Sequence, residues 1–222
     1  MEQDLVFAAQ SAALRPWVAT LTPGELAQPS ALDGWVVADL ISHLVRTLDS
    51  VAVLQPATDG HTPLSIGEYL ASYRADAAGI AQMTRDLTAG SRRGLLPDWD
   101  DAARRAEQTL AALGPGARVV LARRGPILLT DFLDTRLVEL VVHADDLHRS
   151  LPARPAPPVL PSARRQVLTV LREVLTERSA YPAAAIAAAS ALEPAMFIDL
   201  AAGRIAPPAG LAPELTAALP LL

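Results

Sequence analysis

A short apolar segment near residue 140 places a carboxylate and an imidazole four positions apart. The segment RLVELVVHADDLHRS, residues 136–150, is rich in Leu and Val, yet it contains Glu139 and His143. Ionisable side chains are rare in a buried helix unless a partner compensates their charge. Residues four apart lie one above the other on a helix, so Glu139 and His143 can reach the same point. The same spacing is also typical of an ordinary surface pair, and this alternative stays open.

A second predicted helix, over 35–56, brings another histidine to the margin of its apolar stripe. His43 lies at the edge of this stripe, and Asp39 lies one turn before it. If the two helices are antiparallel neighbours in a bundle, their margins face each other. His43, Glu139 and His143 would then supply the donors of a catalytic zinc-type site with open coordination positions. Alternatively, each His is a hydrogen-bonded core residue. Asp39 either orients a ligand or serves the first turn of its helix.

Other polar groups on the helix predicted over 131–149 need separate interpretations. Arg136 falls at the edge of the apolar stripe and is the candidate catalytic residue, since a guanidinium group binds carboxylates of a substrate or thiol well. Pairing with Asp39 or Asp146 is the alternative for this arginine. A solvated face of the helix is expected to consist of Asp145, Asp146 and Arg149.

Composition limits the classes of function. The 222 residues carry a net charge of −5 and show no basic stripe, so nucleic acid is not an expected partner. There is no Cys, so thiolate metal sites are excluded and any thiol must come from outside the chain. The N-terminus lacks the pattern of a signal peptide, and no apolar run is long enough to span a membrane. We therefore expect a cytoplasmic protein without a membrane partner, whose oligomeric state the sequence leaves open.

The fold expected from these patterns is all-α. Apolar periodicity and capping signals predict helices over 5–21, 35–56, 66–90, 101–113 and 131–149. Residues 118–129 form either a short extended pair around Arg124-Gly125-Pro126 or a loop. The Pro-rich segment LPARPAPPVLP marks a boundary near 150–160. The chain is thus predicted to form an up-and-down four-helix bundle over 1–150. A Pro-rich linker and a small, mainly helical C-terminal extension over 151–222 are expected to pack on it.

Two long motifs carry a resemblance to a known family. LTPGELAQPSALDGWVVADLISHL and LLTDFLDTRLVELVVHADDLHRS resemble the mycothiol-dependent maleylpyruvate isomerase family, whose metal-binding domain has the DinB-like four-helix fold. The resemblance runs from about residue 5 to 150. In that family one His from the second helix and a Glu-x-x-x-His pair from the last bundle helix hold a divalent metal, usually zinc. It therefore implies His43, Glu139 and His143 as metal ligands and mycothiol as the thiol cosubstrate.

The resemblance implies a metal-dependent enzyme that uses a small thiol of the mycothiol type on an electrophilic small molecule. The expected outcome is S-transfer to this substrate or its cis–trans isomerisation. The alternatives are a metal-dependent hydrolase and a divalent-metal-binding regulatory or stress protein without turnover; a polar pocket beside the metal would favour an enzyme. The isomerase itself carries a sizeable α/β C-terminal domain that residues 151–222 do not resemble, so none of its substrate-binding residues is assigned here.

Overall fold

Apart from one small sheet, the protein is helical. The computed structural model describes residues 2–58, 60–74, 77–91, 94–114 and 118–222. The helices in these ranges are α1 (Glu2–Ala19), α2 (Pro23–Leu26), α3 (Val37–Ala52), α4 (Ile66–Arg74), α5 (Ala77–Gly90), α6 (Leu95–Leu113), α7 (Leu129–Ser150), α8 (Pro161–Arg178), α9 (Pro182–Ser190), α10 (Pro194–Ala201) and α11 (Pro213–Ala218). The strands are β1 (Gln55–Pro56), β2 (Val119–Ala122) and β3 (Gly125–Leu128). The predicted all-α class is confirmed.

Four long helices, α1, α3, α6 and α7, surround the main core. Helix α3 packs against α6 and α7, and α1 packs against α6 and α7. The largest buried side chains between them include Leu14, Leu40, Leu44, Trp99 and Leu133. Helices α3 and α7 are antiparallel, because the backbone N–H of Ala31, shortly before α3, donates to Ser150 Oγ at the end of α7. This is the DinB-like bundle that the sequence predicts, with α3 and α7 side by side.

The start of α6 differs from its prediction. The helix was predicted over 101–113, but α6 already begins at Leu95. Pro97 does not prevent this, because it lies in the first helical turn, where backbone N–H groups have no acceptor within the helix. Trp99 is almost fully buried. Burial of this indole accounts for the longer helix, since it anchors the first turns of α6 in the core.

The helix predicted over 35–56 is too long at both ends. Helix α3 begins at Val37 and ends at Ala52, and residues 55–56 form β1. Strand β1 pairs with β2, which forms an antiparallel hairpin with β3, so the extended alternative for 118–129 is the observed one. The helix predicted over 66–90 corresponds to α4 and α5. Its predicted continuity across 75–76 lies outside the described residues.

The C-terminal extension shares apolar contacts with the bundle. Helix α8 packs against α7 and α4. A second apolar cluster combines Val138 and Val141 of α7 with Val167 and Leu171 of α8 and Phe197 of α10. The division into units 1–150 and 151–222 stays a prediction, but the contacts show that α7 faces both groups of helices. None of the described helices is long and apolar enough to cross a bilayer.

Candidate metal centre

Three predicted ligands meet between α3 and α7. The carboxylate oxygen Oε2 of Glu139 lies 2.9 Å from His43 Nε2 and 3.1 Å from His143 Nε2. The two imidazole rings are 4.8 Å apart and nearly perpendicular. Within the described part of the chain, one ligand atom from each residue lies within 4.8 Å of the other two. The structure therefore brings together all three residues that were singled out as metal ligands.

The spacing of these atoms suits a single divalent ion. Bonds of about 2 Å at tetrahedral angles place two ligand atoms roughly 3.3 Å apart. The observed separations of 2.9 and 3.1 Å differ from this by a few tenths of an ångström. The side chains are 12%, 18% and 10% exposed for His43, Glu139 and His143, so none of the three is fully enclosed. The donor set of two nitrogens and one oxygen fits zinc and similar ions.

His143 is oriented by a buried carboxylate on its own helix. Its Nδ1 lies 2.9 Å from Asp146 Oδ2, one turn further along α7. Arg204, beyond α10, donates to both oxygens of this carboxylate at 2.8 Å, and Arg149 donates at 3.1 Å. Histidines that ligate metals commonly donate their second N–H in this way, which fixes the tautomer and the ring.

The prediction that Asp145, Asp146 and Arg149 form a solvated face of α7 is therefore wrong for Asp146. Asp146 is completely buried, whereas Asp145 and Arg149 keep some contact with solvent. A buried carboxylate requires compensating partners, and Asp146 finds them in His143 and Arg204. The prediction failed because one of these partners lies 58 residues further along the chain.

His43 is positioned differently from His143. The edge of the Trp35 ring system contacts it, with ring centres 5.5 Å apart. Its Nδ1 is buried and has no hydrogen-bond partner among the described residues. Asp39 does not orient it: the Asp39 carboxylate accepts from the backbone N–H of Val36 at 3.1 Å and so caps α3. Packing, rather than a second hydrogen bond, holds this imidazole.

The electrostatics of the three groups reflect burial and mutual hydrogen bonds. Burial would raise the pKa of Glu139, but hydrogen bonds from His143 and His43 outweigh it and hold this pKa well below its usual range. Burial would lower the pKa of His143, but Asp146 and Glu139 raise it to about 9. For His43 the effect of burial wins, and its pKa is lowered despite Glu139.

Arg136 lies one turn from Glu139 but does not belong to the cluster of candidate metal ligands. Its side chain is 5% exposed, its Nε donates to Thr135 Oγ1 at 3.1 Å, and its guanidinium lies over the Phe132 ring. It lines a neighbouring pocket between α3 and α7. The two carboxylates considered as its partners have other roles, since Asp39 caps α3 and Asp146 holds His143. A role for Arg136 in substrate binding stays a prediction.

Sequence reasoning missed two residues that support the site. Asp146 could have been found, because a carboxylate three positions after a ligating His lies on the same helix face. Arg204 gives no such signal, since it is separated from the motif by the Pro-rich linker and three helices.

Comparison with known proteins agrees with the geometry. The family model described as the mycothiol maleylpyruvate isomerase N-terminal domain matches residues 7–148. The fold is similar to that in the crystal structure of the mycothiol-dependent maleylpyruvate isomerase, with a TM-score of 0.55 and 14% sequence identity over 79% of this chain and 68% of that chain. A search of curated proteins gave no match. Because the family model covers most of the chain, including both segments that carry the candidate ligands, the protein belongs to the mycothiol maleylpyruvate isomerase N-terminal domain family.

Proposed function

We propose that this protein is a metal-dependent enzyme that uses a small thiol of the mycothiol type to act on an electrophilic small molecule. His43, Glu139 and His143 would hold the metal, and zinc suits these nitrogen and oxygen donors well. The observation that carries the proposal is their convergence from two helices at a partly exposed point. Membership of a family described by mycothiol and maleylpyruvate supports the choice of thiol and reaction class.

The charges of the site suit activation of a thiol. One carboxylate and two neutral imidazoles leave a divalent ion with a net positive charge. An ion bound here would favour the thiolate form of an incoming thiol, because coordination lowers the pKa of the thiol. The chain contains no Cys of its own, so the sulfur nucleophile must be supplied by a cosubstrate. Three protein ligands leave at least one coordination position for it.

The thiolate would form a C–S bond at the electrophilic carbon of a carbon–carbon double bond in the substrate, while the π bond breaks and its electron pair moves onto the neighbouring carbon. If this bond breaks again after rotation about the former double bond, the thiol is released unchanged and the product is the geometric isomer. If the bond persists and the carbon next to it takes up a proton, the product is a thioether. Arg136 is proposed to bind a carboxylate of the substrate, one turn from Glu139.

The exposure of the site supports an enzyme over a regulatory metal protein. A metal kept only for stability has no need of access from outside, whereas all three candidate ligands retain 10–18% exposure. A pocket with polar lining lies one helical turn away, between the same two helices. Both features are those expected beside a reacting centre.

The test is thiol binding to the cobalt-substituted protein. Cobalt(II) absorbs visible light, and its spectrum changes when a thiolate becomes a ligand. We expect mycothiol to change the spectrum of the wild-type protein, and S-methyl mycothiol, which cannot form a thiolate, to leave it unchanged. The His148→Ala variant is a matched control, because His148 is an exposed histidine on the same helix.

Two outcomes would contradict the proposal. If cobalt binds but mycothiol leaves the spectrum unchanged, no thiol reaches the ion, and a hydrolase or a regulatory protein becomes the better interpretation. If His43→Ala and His143→Ala bind cobalt as tightly as the His148→Ala control, these residues are not the ligands. A positive result would be followed by an isomerisation assay with maleylpyruvate in the presence of mycothiol.

A further inference from the structure

A second cavity, here called the Trp99 cavity, opens between helices α1 and α6 of the bundle. It has a volume of about 270 Å³. Its floor consists of three large apolar side chains that are at most 2% exposed: Phe7 of α1, Leu48 of α3 and Trp99 of α6. An engineered apolar cavity of about 150 Å³ is sufficient to bind benzene. The Trp99 cavity is therefore large enough for a molecule with two fused rings.

Small side chains on both helices account for this space. Ala8 and Ala12 line the cavity from α1, and Ala103 and Ala106 line it from α6. The members of each pair are three or four residues apart, so they lie on one face of their helix. Protein interiors are close-packed and contain few voids larger than a water molecule. An apolar space of this size between two bundle helices is typical of a ligand site.

One polar group at the Trp99 cavity lacks a partner. Ser11 of α1 lines the cavity and is 5% exposed, and its hydroxyl has no hydrogen-bond partner among the described residues. Burial of a polar group without a partner is costly, and most such groups in folded proteins are hydrogen-bonded. A serine hydroxyl both donates and accepts. A ligand with one polar group can therefore supply the missing hydrogen bond.

The charged residues of the lining are exposed and form its rim. Arg15 of α1 donates to both carboxylate oxygens of Asp100 of α6, at 2.9 and 2.7 Å, so this ion pair spans the opening. Glu107 adds a negative charge at the rim, which disfavours an anionic ligand. The apolar floor offers no carboxylate to a cation. This distribution of charge favours an uncharged ligand.

The Trp99 cavity is separate from the candidate metal centre. None of its described lining residues belongs to α7, the helix that carries Glu139 and His143. His43 and Leu48 are five residues apart on α3, so their side chains point about 140° apart around the helix axis. A molecule in this cavity thus occupies a site that the chemistry at the metal does not use.

We propose that the Trp99 cavity binds a small, uncharged aromatic molecule that carries one hydrogen-bonding group. Phe7 and Trp99 would contact its rings, since aromatic pairs are favourable beyond the area they bury, and Ser11 would bind its polar group. A second copy of this chain is a poorer occupant, because a stable interface buries about 800 Å² of each partner and this cavity accommodates only a few side chains. The proposal goes beyond the proposed function and does not depend on it.

The test compares two matched probes, 2-naphthol and naphthalene, which are both uncharged at neutral pH and differ by one hydroxyl. The full chain is labelled with 5-fluorotryptophan, which gives fluorine signals for Trp17, Trp35 and Trp99. Replacement of each Trp by Phe in turn assigns these signals. We expect 2-naphthol to shift the signal of Trp99 and to leave that of Trp35 in place. A shift of the Trp35 signal alone would overturn the proposal, since Trp35 contacts His43 and would report binding at the candidate metal centre.

Variants in the lining test the two parts of the proposal by isothermal titration calorimetry. Ser11→Ala should weaken 2-naphthol by about 2- to 10-fold, the effect of one lost hydrogen bond, and leave naphthalene unchanged. Ala103→Leu should weaken both probes by about tenfold or more, because its longer side chain fills the cavity. Ala111→Leu is the matched control, since it makes the same change at an exposed position of α6 and should bind both probes as the wild type does.

The proposal is overturned if neither probe binds the wild type at one molecule per chain, or if Ala103→Leu and Ala111→Leu bind the probes equally well. If Ser11→Ala weakens 2-naphthol and naphthalene equally, or neither of them, the hydrogen bond to Ser11 is wrong. Sedimentation of the wild type tests the other occupant: a dimer that Ala103→Leu dissociates would show that a second copy fills the cavity, which also overturns the proposal.

Discussion

Replacement of Asp146 by Asn tests whether the buried carboxylate that contacts His143 strengthens metal binding at the candidate metal centre. Asp146 is completely buried and accepts from His143 Nδ1 at 2.9 Å, while Arg204 donates to both of its oxygens. An amide at this position removes the negative charge and presents an NH₂ group to a donor. Loss of such a supporting carboxylate typically weakens metal binding by about 10- to 100-fold, or about 1.4–2.7 kcal/mol.

The assay is competition between the metal-free protein and a chromophoric chelator for zinc. Asp145→Asn is a matched control, because it makes the same chemical change one residue away, where the carboxylate accepts from Arg164. Arg204→Gln should weaken zinc binding by up to about tenfold, because Asp146 stays in place but loses the arginine that holds its carboxylate. Opening this buried ion network also costs roughly 3–5 kcal/mol of stability, so each variant is compared only after circular dichroism shows that it is folded.

The reasoning is refuted if folded Asp146→Asn protein binds zinc as tightly as the wild type. It is equally refuted if Asp145→Asn loses as much affinity as Asp146→Asn. A double-mutant cycle adds a further check: the effects of Asp146→Asn and Arg204→Gln should not add, because the two side chains act through one contact.

Three further predictions concern stability. Zinc at 100 times its dissociation constant should stabilise the protein by about 2.7 kcal/mol and raise its melting temperature in calorimetry, whereas an unchanged melt would argue against a preformed site. Burial raises the pKa of Asp134 to about 7 despite a hydrogen bond from Gln166, so the folded state binds this proton more tightly than the unfolded state. The stability of the wild type should therefore fall from about pH 4 to pH 7. In urea titrations, Asp134→Asn should be more stable than the wild type at pH 8 by up to about 4 kcal/mol, and the two proteins should be similar near pH 4. Equal stability at pH 8 would contradict this prediction. Leu171 lies in the apolar cluster that α8 shares with α7, and Leu171→Ala should lower the free energy of unfolding in urea by about 2–5 kcal/mol without changing zinc affinity. A loss below about 1 kcal/mol would show that this contact contributes little.

Local periodicity predicted the two helices that form the candidate metal centre. Apolar residues at helical spacing placed His43 and His143 at the margins of two stripes, and those margins face each other in the bundle. Element ends were less predictable. Residues 55–56 join a strand because β2, more than 60 residues away in sequence, offers hydrogen bonds that no local pattern reveals.

The supporting contacts of the site depend on distant parts of the chain. Asp146 looked like a surface residue because its neighbours Asp145 and Arg149 are charged, but contacts with His143 and the distant Arg204 compensate its buried charge. Spacing within each of two helices indicated the candidate ligands and the family resemblance favoured them, whereas tertiary packing determined what surrounds them.

Metal content tests the central claim most directly. Purified protein, analysed by inductively coupled plasma mass spectrometry, should contain about one equivalent of zinc or a similar divalent ion per chain. His43→Ala, Glu139→Ala and His143→Ala should each lose this ion, and His148→Ala on the same helix should keep it. Full retention of the ion in any of the three ligand variants, or no ion in wild-type protein that has been supplied with zinc, would contradict the account.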